Sequence, residues 1–168
     1  VDASASMLGR TYANVVRYRA MPDERKIRAP KWRQTLGTVE WLTTQIQPGA
    51  RFQIYAFNEQ AATTVAGSDG GWITAKDGSD FDAALVGLRK IVPTKGTSLL
   101  KAFQAARAMK PTPDNIFLIT DGLPTQGASA PAEPEPIRAD RRANFLRQAS
   151  AELPANVPVN VILLPMEG

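Results

Sequence analysis

The first residues of the chain carry side-chain oxygens at alternate positions. Asp2, Ser4 and Ser6 form the pattern D-x-S-x-S directly after Val1, which has the character of a strand end. Alternate positions in an extended segment point to the same side, so one carboxylate and two hydroxyls can converge on one point. Small polar residues also fill many turns, so this segment indicates little by itself.

Two later segments place further oxygens at comparable positions. Thr97 stands in the sequence KGTS, just before a segment rich in Ala and Leu, which puts its hydroxyl at the start of a helix. Asp121 follows the apolar run NIFLIT, which puts its carboxylate at the end of a buried strand. Ligands of open α/β sheets bind beyond the carboxyl ends of the strands. We therefore expect one site that contains Asp2, Ser4, Ser6, Thr97 and Asp121.

The composition limits the chemistry that such a site can perform. The chain has no histidine and no cysteine, which excludes a Ser-His-Asp triad, thiol catalysis and thiolate metal sites. Oxygen atoms are the ligands that hard divalent cations prefer. The sequence therefore predicts a site for Mg²⁺ or Mn²⁺, with Ca²⁺ as a further candidate.

Elements that could position these residues alternate along the chain. Nearly continuous apolar runs predict strands, and apolar residues spaced three or four apart predict helices. This alternation predicts an α/β fold of the Rossmann-like, doubly wound type, with a mainly parallel central sheet and helices on both faces. The predicted strands are 52–57, 115–120 and 157–164, with a short antiparallel edge strand at 62–66; the predicted helices are 32–46, 80–92, 98–109 and 138–153.

Three segments together resemble a known family. VDASASM, KGTSL and FLITDG stand in the order and approximate spacing of the metal-ion-dependent adhesion site of von Willebrand factor A domains, integrin I domains included. The resemblance implies that Ser4, Ser6 and Thr97 bind the cation directly, while Asp2 and Asp121 hold its water ligands. It also implies a single domain over 1–168, cut off in its first strand and its final elements. The sequence departs from many members of the family in having Ala where they have Gly, at position 5.

The resemblance also implies a function. A cation bound by neutral hydroxyls keeps much of its positive charge and an exchangeable water, which a carboxylate can replace. We therefore expect a protein–protein interaction domain, not an enzyme, that grips an Asp or Glu of a partner protein. The sequence as a whole is similar to those of bacterial members of the family. This similarity suggests that the domain is one part of a larger bacterial assembly.

Two segments that interrupt the alternation are predicted to flank the metal face. These insertions, 7–28 and 126–137, follow Ser6 and Asp121, and the second is expected to be a flexible loop because it is rich in Pro, Ala and Glu. Their charged residues are candidates for partner binding, or for a weak gating contact between the two segments. The candidates are Arg10, Arg17, Arg19, Glu133 and Glu135.

An enzyme with the same sheet topology is the alternative. An aspartate nucleophile at a strand end would suit phosphoryl transfer, as in haloacid-dehalogenase-like enzymes, but these require a second Asp where this chain has Ser4. A Ser–Lys pair remains open. Nucleic acid is not favoured as a partner, because the net charge of +4 is mild and few aromatic residues lie among the arginines.

The sequence leaves the location and the oligomeric state open. No apolar run approaches the roughly 18 residues that a membrane-spanning helix needs. A bacterial envelope location is slightly favoured over the cytoplasm, because an anchor is conceivable upstream of the first strand.

Overall fold

The computed structural model describes residues 1–131 and 137–167. Within them, helices and strands alternate, which confirms the α/β class. The helices are α1 (Tyr12–Arg19), α2 (Asp23–Lys26), α3 (Pro30–Thr43), α4 (Gly78–Arg89), α5 (Leu99–Ala108) and α6 (Ala139–Ser150), together with a short 3₁₀ helix at Ala5–Leu8. The strands are β1 (Arg51–Phe52), β2 (Tyr55–Phe57), β3 (Ala61–Thr63), β4 (Ile73–Thr74), β5 (Ile116–Thr120) and β6 (Val159–Leu163).

The strands are short and pair two by two. β5 and β6 are parallel, with Ile119 opposite Ile162, whereas the pairs β2–β3 and β1–β4 are antiparallel. β3 corresponds to the short antiparallel strand expected at 62–66. The first residues of the chain lie between two of these pairs. The Asp2 N–H donates to the Ile119 carbonyl at 2.8 Å, and the Ala3 N–H donates to the Phe57 carbonyl at 2.7 Å.

The strand predicted over 52–57 is interrupted in its middle, and the side chain of Gln53 explains the break. Its Oε1 accepts a hydrogen bond from the Ile54 N–H at 3.0 Å, so that backbone donor is not available to a neighbouring strand. Its Nε2 donates to the Gly71 carbonyl at 2.8 Å. The run therefore forms two separate strands, β1 and β2.

The four predicted long helices all form, although each is shorter than its apolar pattern. α4 begins with a capping box, in which Asp77 accepts from the Ser79 N–H and Asp80 bonds back to the cap. α5 begins at Ser98, whose hydroxyl accepts from the Lys101 N–H. α3 begins with Pro30 and buries Trp32 completely in the main apolar cluster of the core. None of the helices in the described residues is both long enough and apolar enough for a membrane span.

Helices α1 and α2 fill the segment 7–28, where the sequence pattern had indicated none. α1 buries only Val15, so it has no apolar stripe from which a helix could be predicted. It packs closely on the 3₁₀ helix, and Gly9 makes this approach possible. A Cβ at Gly9 would lie 2.7 Å from the Asn14 Cβ and 2.9 Å from the Val15 nitrogen.

Candidate metal centre

Hydrogen bonds between backbone groups hold three loops together at the candidate site. The Ala5 N–H donates to the Lys95 carbonyl at 3.0 Å, which joins the first loop to the loop before α5. The Thr97 carbonyl accepts from the N–H groups of Thr125 and Gln126 at 3.0 and 3.2 Å. In return, the Thr97 N–H donates to the Thr125 hydroxyl at 2.8 Å. The loops that carry the predicted residues are therefore contiguous.

Three of the predicted side chains form a continuous hydrogen-bonded chain. The Ser6 hydroxyl donates to Asp121 Oδ1 at 3.1 Å, and the Ser4 and Ser6 hydroxyl oxygens lie 3.0 Å apart. A serine hydroxyl has one proton, and that of Ser6 is used on Asp121, so Ser4 donates to Ser6. Ser4 is buried and Ser6 is partly exposed. The Ser4 and Ser6 hydroxyls thus converge, but through the 3₁₀ helix Ala5–Leu8 that contains Ser6 and not through the extended segment that the sequence predicted.

Asp2 is fully buried beneath these three hydrogen-bonded side chains. Its Oδ1 accepts from the Ser4 N–H at 2.9 Å, and its Oδ2 accepts from the Thr120 hydroxyl at 2.7 Å. Burial, and after it the charge of Asp121, raises the pKa of Asp2 from 3.8 to about 6. The two carboxylates are therefore close enough to repel each other. A positive charge beside them would offset this repulsion.

Thr97 is buried in the second loop, where the residue is 3% exposed. The hydrogen bonds described for Thr97 use its backbone N–H and carbonyl, both toward the segment that follows Asp121. Gly96 is packed against the same segment, since a Cβ there would lie 2.8 Å from the Gln126 Oε1 and 2.9 Å from the Thr125 Oγ1. The structure thus brings the Thr97 loop to the site and fixes its backbone.

A lysine that the sequence analysis did not assign to the site reaches into it. Lys31 Nζ lies 2.7 Å from Asp121 Oδ2 and donates to the Ser6 carbonyl at 3.3 Å, and the Lys31 side chain is only 1% exposed. Lys31 lies in a strongly basic stretch of sequence. Composition alone therefore does not distinguish Lys31, the one basic residue of this stretch that points inward, from the others. Its helical position, one turn before the buried Thr35, is the signal that could have identified it.

The donor set fits a small hard cation. An octahedral Mg²⁺ with ligands at about 2.0–2.1 Å places neighbouring oxygens about 2.9 Å apart. The Ser4 and Ser6 hydroxyl oxygens lie 3.0 Å apart, a separation that suits a hydrogen bond and also two adjacent Mg²⁺ ligands. In the described part of the chain, no group of three or more His, Cys, Asp or Glu residues is placed to hold a metal. Hydroxyls would therefore have to supply much of the coordination.

The candidate partner-binding arginines lie on the surface of the segment 7–28. Arg10 donates to the Gln34 Oε1 at 2.9 Å and pairs with Glu167 at 3.5 Å. Arg17 and Arg19 are exposed on α1. Arg17 also lines a cavity of about 440 Å³ with two further arginines, Arg25 and Arg28.

The second predicted insertion, 126–137, does not begin as the flexible loop that the sequence predicted. Gln126 and Gly127 are buried, and the Gly127 carbonyl accepts from the Ser98 hydroxyl at 2.7 Å. The prediction of a flexible loop from residue 126 onward is therefore wrong for these two residues, because they help to position the Thr97 loop. Glu133 and Glu135 lie outside the described residues.

Comparison with known proteins identifies the fold. No family model and no curated protein sequence matches the chain. Among solved structures, the chain is similar to the von Willebrand factor type A from Catenulispora acidiphila, with a TM-score of 0.59 and 18% sequence identity. The match covers 95% of this chain and 30% of that one, so this chain spans less than a third of the other protein. The chain therefore has the fold of a von Willebrand factor A-type domain, as the three motifs of its sequence predicted.

Proposed function

We propose that this domain binds a divalent cation, Mg²⁺ in the first place, and uses it to grip an Asp or Glu of a partner protein. Ser4, Ser6 and Thr97 would bind the cation directly, and Asp2 and Asp121 would hold its water ligands. The observation that carries the proposal is the pair of Ser4 and Ser6 hydroxyls, 3.0 Å apart and hydrogen-bonded through Ser6 to Asp121 where three loops meet.

The chemistry of these donors favours a carboxylate as the incoming group. Hydroxyl ligands are neutral, so a cation held by them would keep most of its charge and act as a Lewis acid toward an anionic oxygen. Ser4 and Asp2 are buried, whereas Ser6 is partly exposed and the Asp121 side chain beside it is 8% exposed. A partner would approach from the side of Ser6 and Asp121.

We further infer that the strand pairs belong to one doubly wound central sheet in which residues 1–3 lie between β2 and β5. The hydrogen bonds from Asp2 to Ile119 and from Ala3 to Phe57 support this inference. The carboxyl end of β5 then lies next to the first loop, as the rule for ligand sites in such sheets requires. That the domain is one part of a larger bacterial assembly, as the sequence suggests, belongs to the same proposal.

We propose a binding role in preference to catalysis. The Lys31 ammonium bonds to Asp121 Oδ2 and to the Ser6 carbonyl, not to a serine hydroxyl, so it is not placed as the base of a Ser–Lys pair. Hydrolysis of p-nitrophenyl phosphate or p-nitrophenyl acetate in the presence of Mg²⁺, lost in Ser4→Ala, would contradict this part of the proposal.

The cation site is tested by thermal and chemical unfolding with Mg²⁺ and with EDTA. Mg²⁺ at a hundredfold excess over its Kd should raise the free energy of unfolding by about 2.7 kcal/mol. Ser6→Ala removes one oxygen without leaving a buried charge, and it should lose most of this increase. Ser150→Ala, an exposed serine at the end of α6, is the matched control and should keep it. Equal Mg²⁺ effects in both variants would exclude Ser6 as a ligand.

The carboxylate preference is tested with Mn²⁺ and a small probe. Mn²⁺ bound with an exchangeable water enhances the relaxation of water protons, and acetate should reduce that enhancement by replacing the water. Acetamide, which has nearly the same shape but no charge, should have little effect. Thr97→Ala should bind Mn²⁺ more weakly. Equal effects of acetate and acetamide would contradict recognition of an acidic residue.

A further inference from the structure

We propose that Lys31 is a built-in positive charge that holds Asp121 in the metal-free domain and opposes the entry of a divalent cation. Lys31 would thereby set the cation affinity of the site. This inference rests on the proposed metal site, because it concerns two of the residues assigned to that site.

The position of Lys31 within the site is the first argument. Its ammonium group contacts both Asp121, through Oδ2 at 2.7 Å, and Ser6, through the backbone carbonyl at 3.3 Å. The same two residues are joined by the hydrogen bond from the Ser6 hydroxyl to Asp121 Oδ1. Lys31 therefore uses one oxygen of the carboxylate while Ser6 uses the other.

The burial of this pair separates it from the other ion pairs of the chain. Lys31 and Asp121 have side chains that are 1% and 8% exposed. In every other ion pair of the described segments, both side chains are at least 20% exposed, as in the pair of Lys26 with Asp23. A pair shielded from water retains much more of its Coulomb energy than a surface pair does.

The balance of charge explains the expected effect on cation binding. Without Lys31, the mutually repelling carboxylates of Asp2 and Asp121 would have no buried Lys or Arg beside them in the part of the chain that the structure describes. The lysine stabilises this arrangement, but its charge repels any second cation that uses Asp121. A divalent cation must therefore bind against the electrostatic repulsion of the Lys31 ammonium group, or displace that group from the Asp121 carboxylate.

The test compares Mn²⁺ affinity by isothermal titration in wild type, Lys31→Met and Lys26→Met. Methionine keeps the length and apolar character of the lysine chain but removes its charge. Lys31→Met should bind Mn²⁺ about tenfold more tightly, or more, since one like charge has been removed from the site. Lys26→Met removes the same charge from an exposed Lys–Asp pair on α2 and should stay within about twofold of wild type. Unchanged or weaker binding by Lys31→Met would overturn the proposal.

The outcomes separate this inference from the proposed function. Failure of both wild type and Lys31→Met to bind Mn²⁺ or Mg²⁺ would overturn the metal site and the inference with it. Binding by wild type with equal affinity in Lys31→Met would overturn only the role of Lys31. Binding by Lys31→Met alone would support the inference most directly.

A stability measurement covers the case in which the variant folds poorly. In EDTA, Lys31→Met should melt at a lower temperature than wild type, and Mn²⁺ should raise its melting temperature by more. If the variant is unfolded in EDTA, Mn²⁺ should refold it at concentrations that leave Lys26→Met unaffected. If Lys31→Met stays unfolded at every Mn²⁺ concentration, the titration is done with Lys31→Gln instead. Glutamine keeps a hydrogen-bond donor without the charge. An affinity of Lys31→Gln no higher than that of wild type would then overturn the proposal.

Discussion

The Thr120 hydroxyl donates a hydrogen bond to Asp2 Oδ2 at 2.7 Å, although 118 residues separate the two in sequence. Both side chains are buried, at the point where β5 ends beside the first loop. With Oδ1 already bonded to the Ser4 N–H, this contact fixes the orientation of the whole Asp2 carboxylate. The Ser4 N–H and the Thr120 hydroxyl together therefore hold the Asp2 carboxylate in one orientation.

Thr120→Val should reduce both stability and cation affinity. Valine has nearly the same shape but leaves Asp2 Oδ2 buried without its donor, which should lower the free energy of unfolding by about 1–3 kcal/mol. Urea unfolding in EDTA measures this loss separately from cation binding. Thr38→Val is the matched control, because the Thr38 hydroxyl donates to the Gln34 carbonyl on an exposed helix face. Equal losses in the two variants would contradict a special role for the Asp2 contact.

Thr125→Val should weaken the cation site with a smaller effect on folding. The Thr125 hydroxyl is the acceptor for the Thr97 N–H, and its removal frees the backbone of the Thr97 loop. We expect a several-fold loss of Mn²⁺ affinity in a titration with the folded variant. Thr112→Val, at an exposed position, should bind Mn²⁺ as wild type does. A normal affinity in Thr125→Val would show that the loop is held in place by the remaining hydrogen bonds.

Two glycine-to-alanine changes in helices should act in opposite directions. At Gly87 in α4, a Cβ would overlap the carbonyl oxygen of Thr64 and lie 2.8 Å from its carbonyl carbon. Gly87→Ala should therefore cost about 1–3 kcal/mol or more. At Gly37 in α3 nothing lies within 4 Å of the added atom, so Gly37→Ala should stabilise the domain by about 0.5–1 kcal/mol. Denaturant midpoints of the two variants on opposite sides of wild type would confirm the prediction.

The buried and exposed ion pairs should respond very differently to loss of the acidic partner. Asp121→Ala leaves the Lys31 ammonium buried without a carboxylate and should cost about 3–5 kcal/mol. Glu152→Ala removes the partner of Arg107 at the surface and should cost about 0–1 kcal/mol. Unfolding in EDTA at low salt gives both values. Similar costs for the two variants would mean that solvent reaches the Lys31–Asp121 pair more than its burial indicates.

Sequence reasoning placed the candidate residues on loops that the structure brings together, because its signals are local. Each predicted residue stands at the end of an apolar run or at the start of an amphipathic segment, and such positions meet at one edge of an α/β sheet. The resemblance to von Willebrand factor A domains added the direct ligand roles, which remain a prediction. The fold class followed from the same alternation of strands and helices.

The residues that the sequence could not reveal act through contacts distant in sequence. Lys31 looks like one basic residue among many, and its contact with Asp121 spans 90 positions. Thr120 and Thr125 flank the Asp121 loop but have the character of ordinary strand-end and turn residues. The break between β1 and β2 depends on a side-chain bond of Gln53 to its neighbour, which no apolar pattern records.

The burial of Trp32 has an optical consequence. Trp32 follows Lys31 directly, is completely buried, and has an indole N–H without a hydrogen-bond partner among the described residues. An indole in such surroundings emits at shorter wavelength than one in water, and a shift of the first turn of α3 would change that emission. Trp41 is 60% exposed and Trp72 donates its indole N–H to the Pro111 carbonyl, so Trp41→Phe together with Trp72→Phe would leave the emission of Trp32 alone. The intrinsic fluorescence of the domain can therefore follow events at Lys31 in real time, without a label.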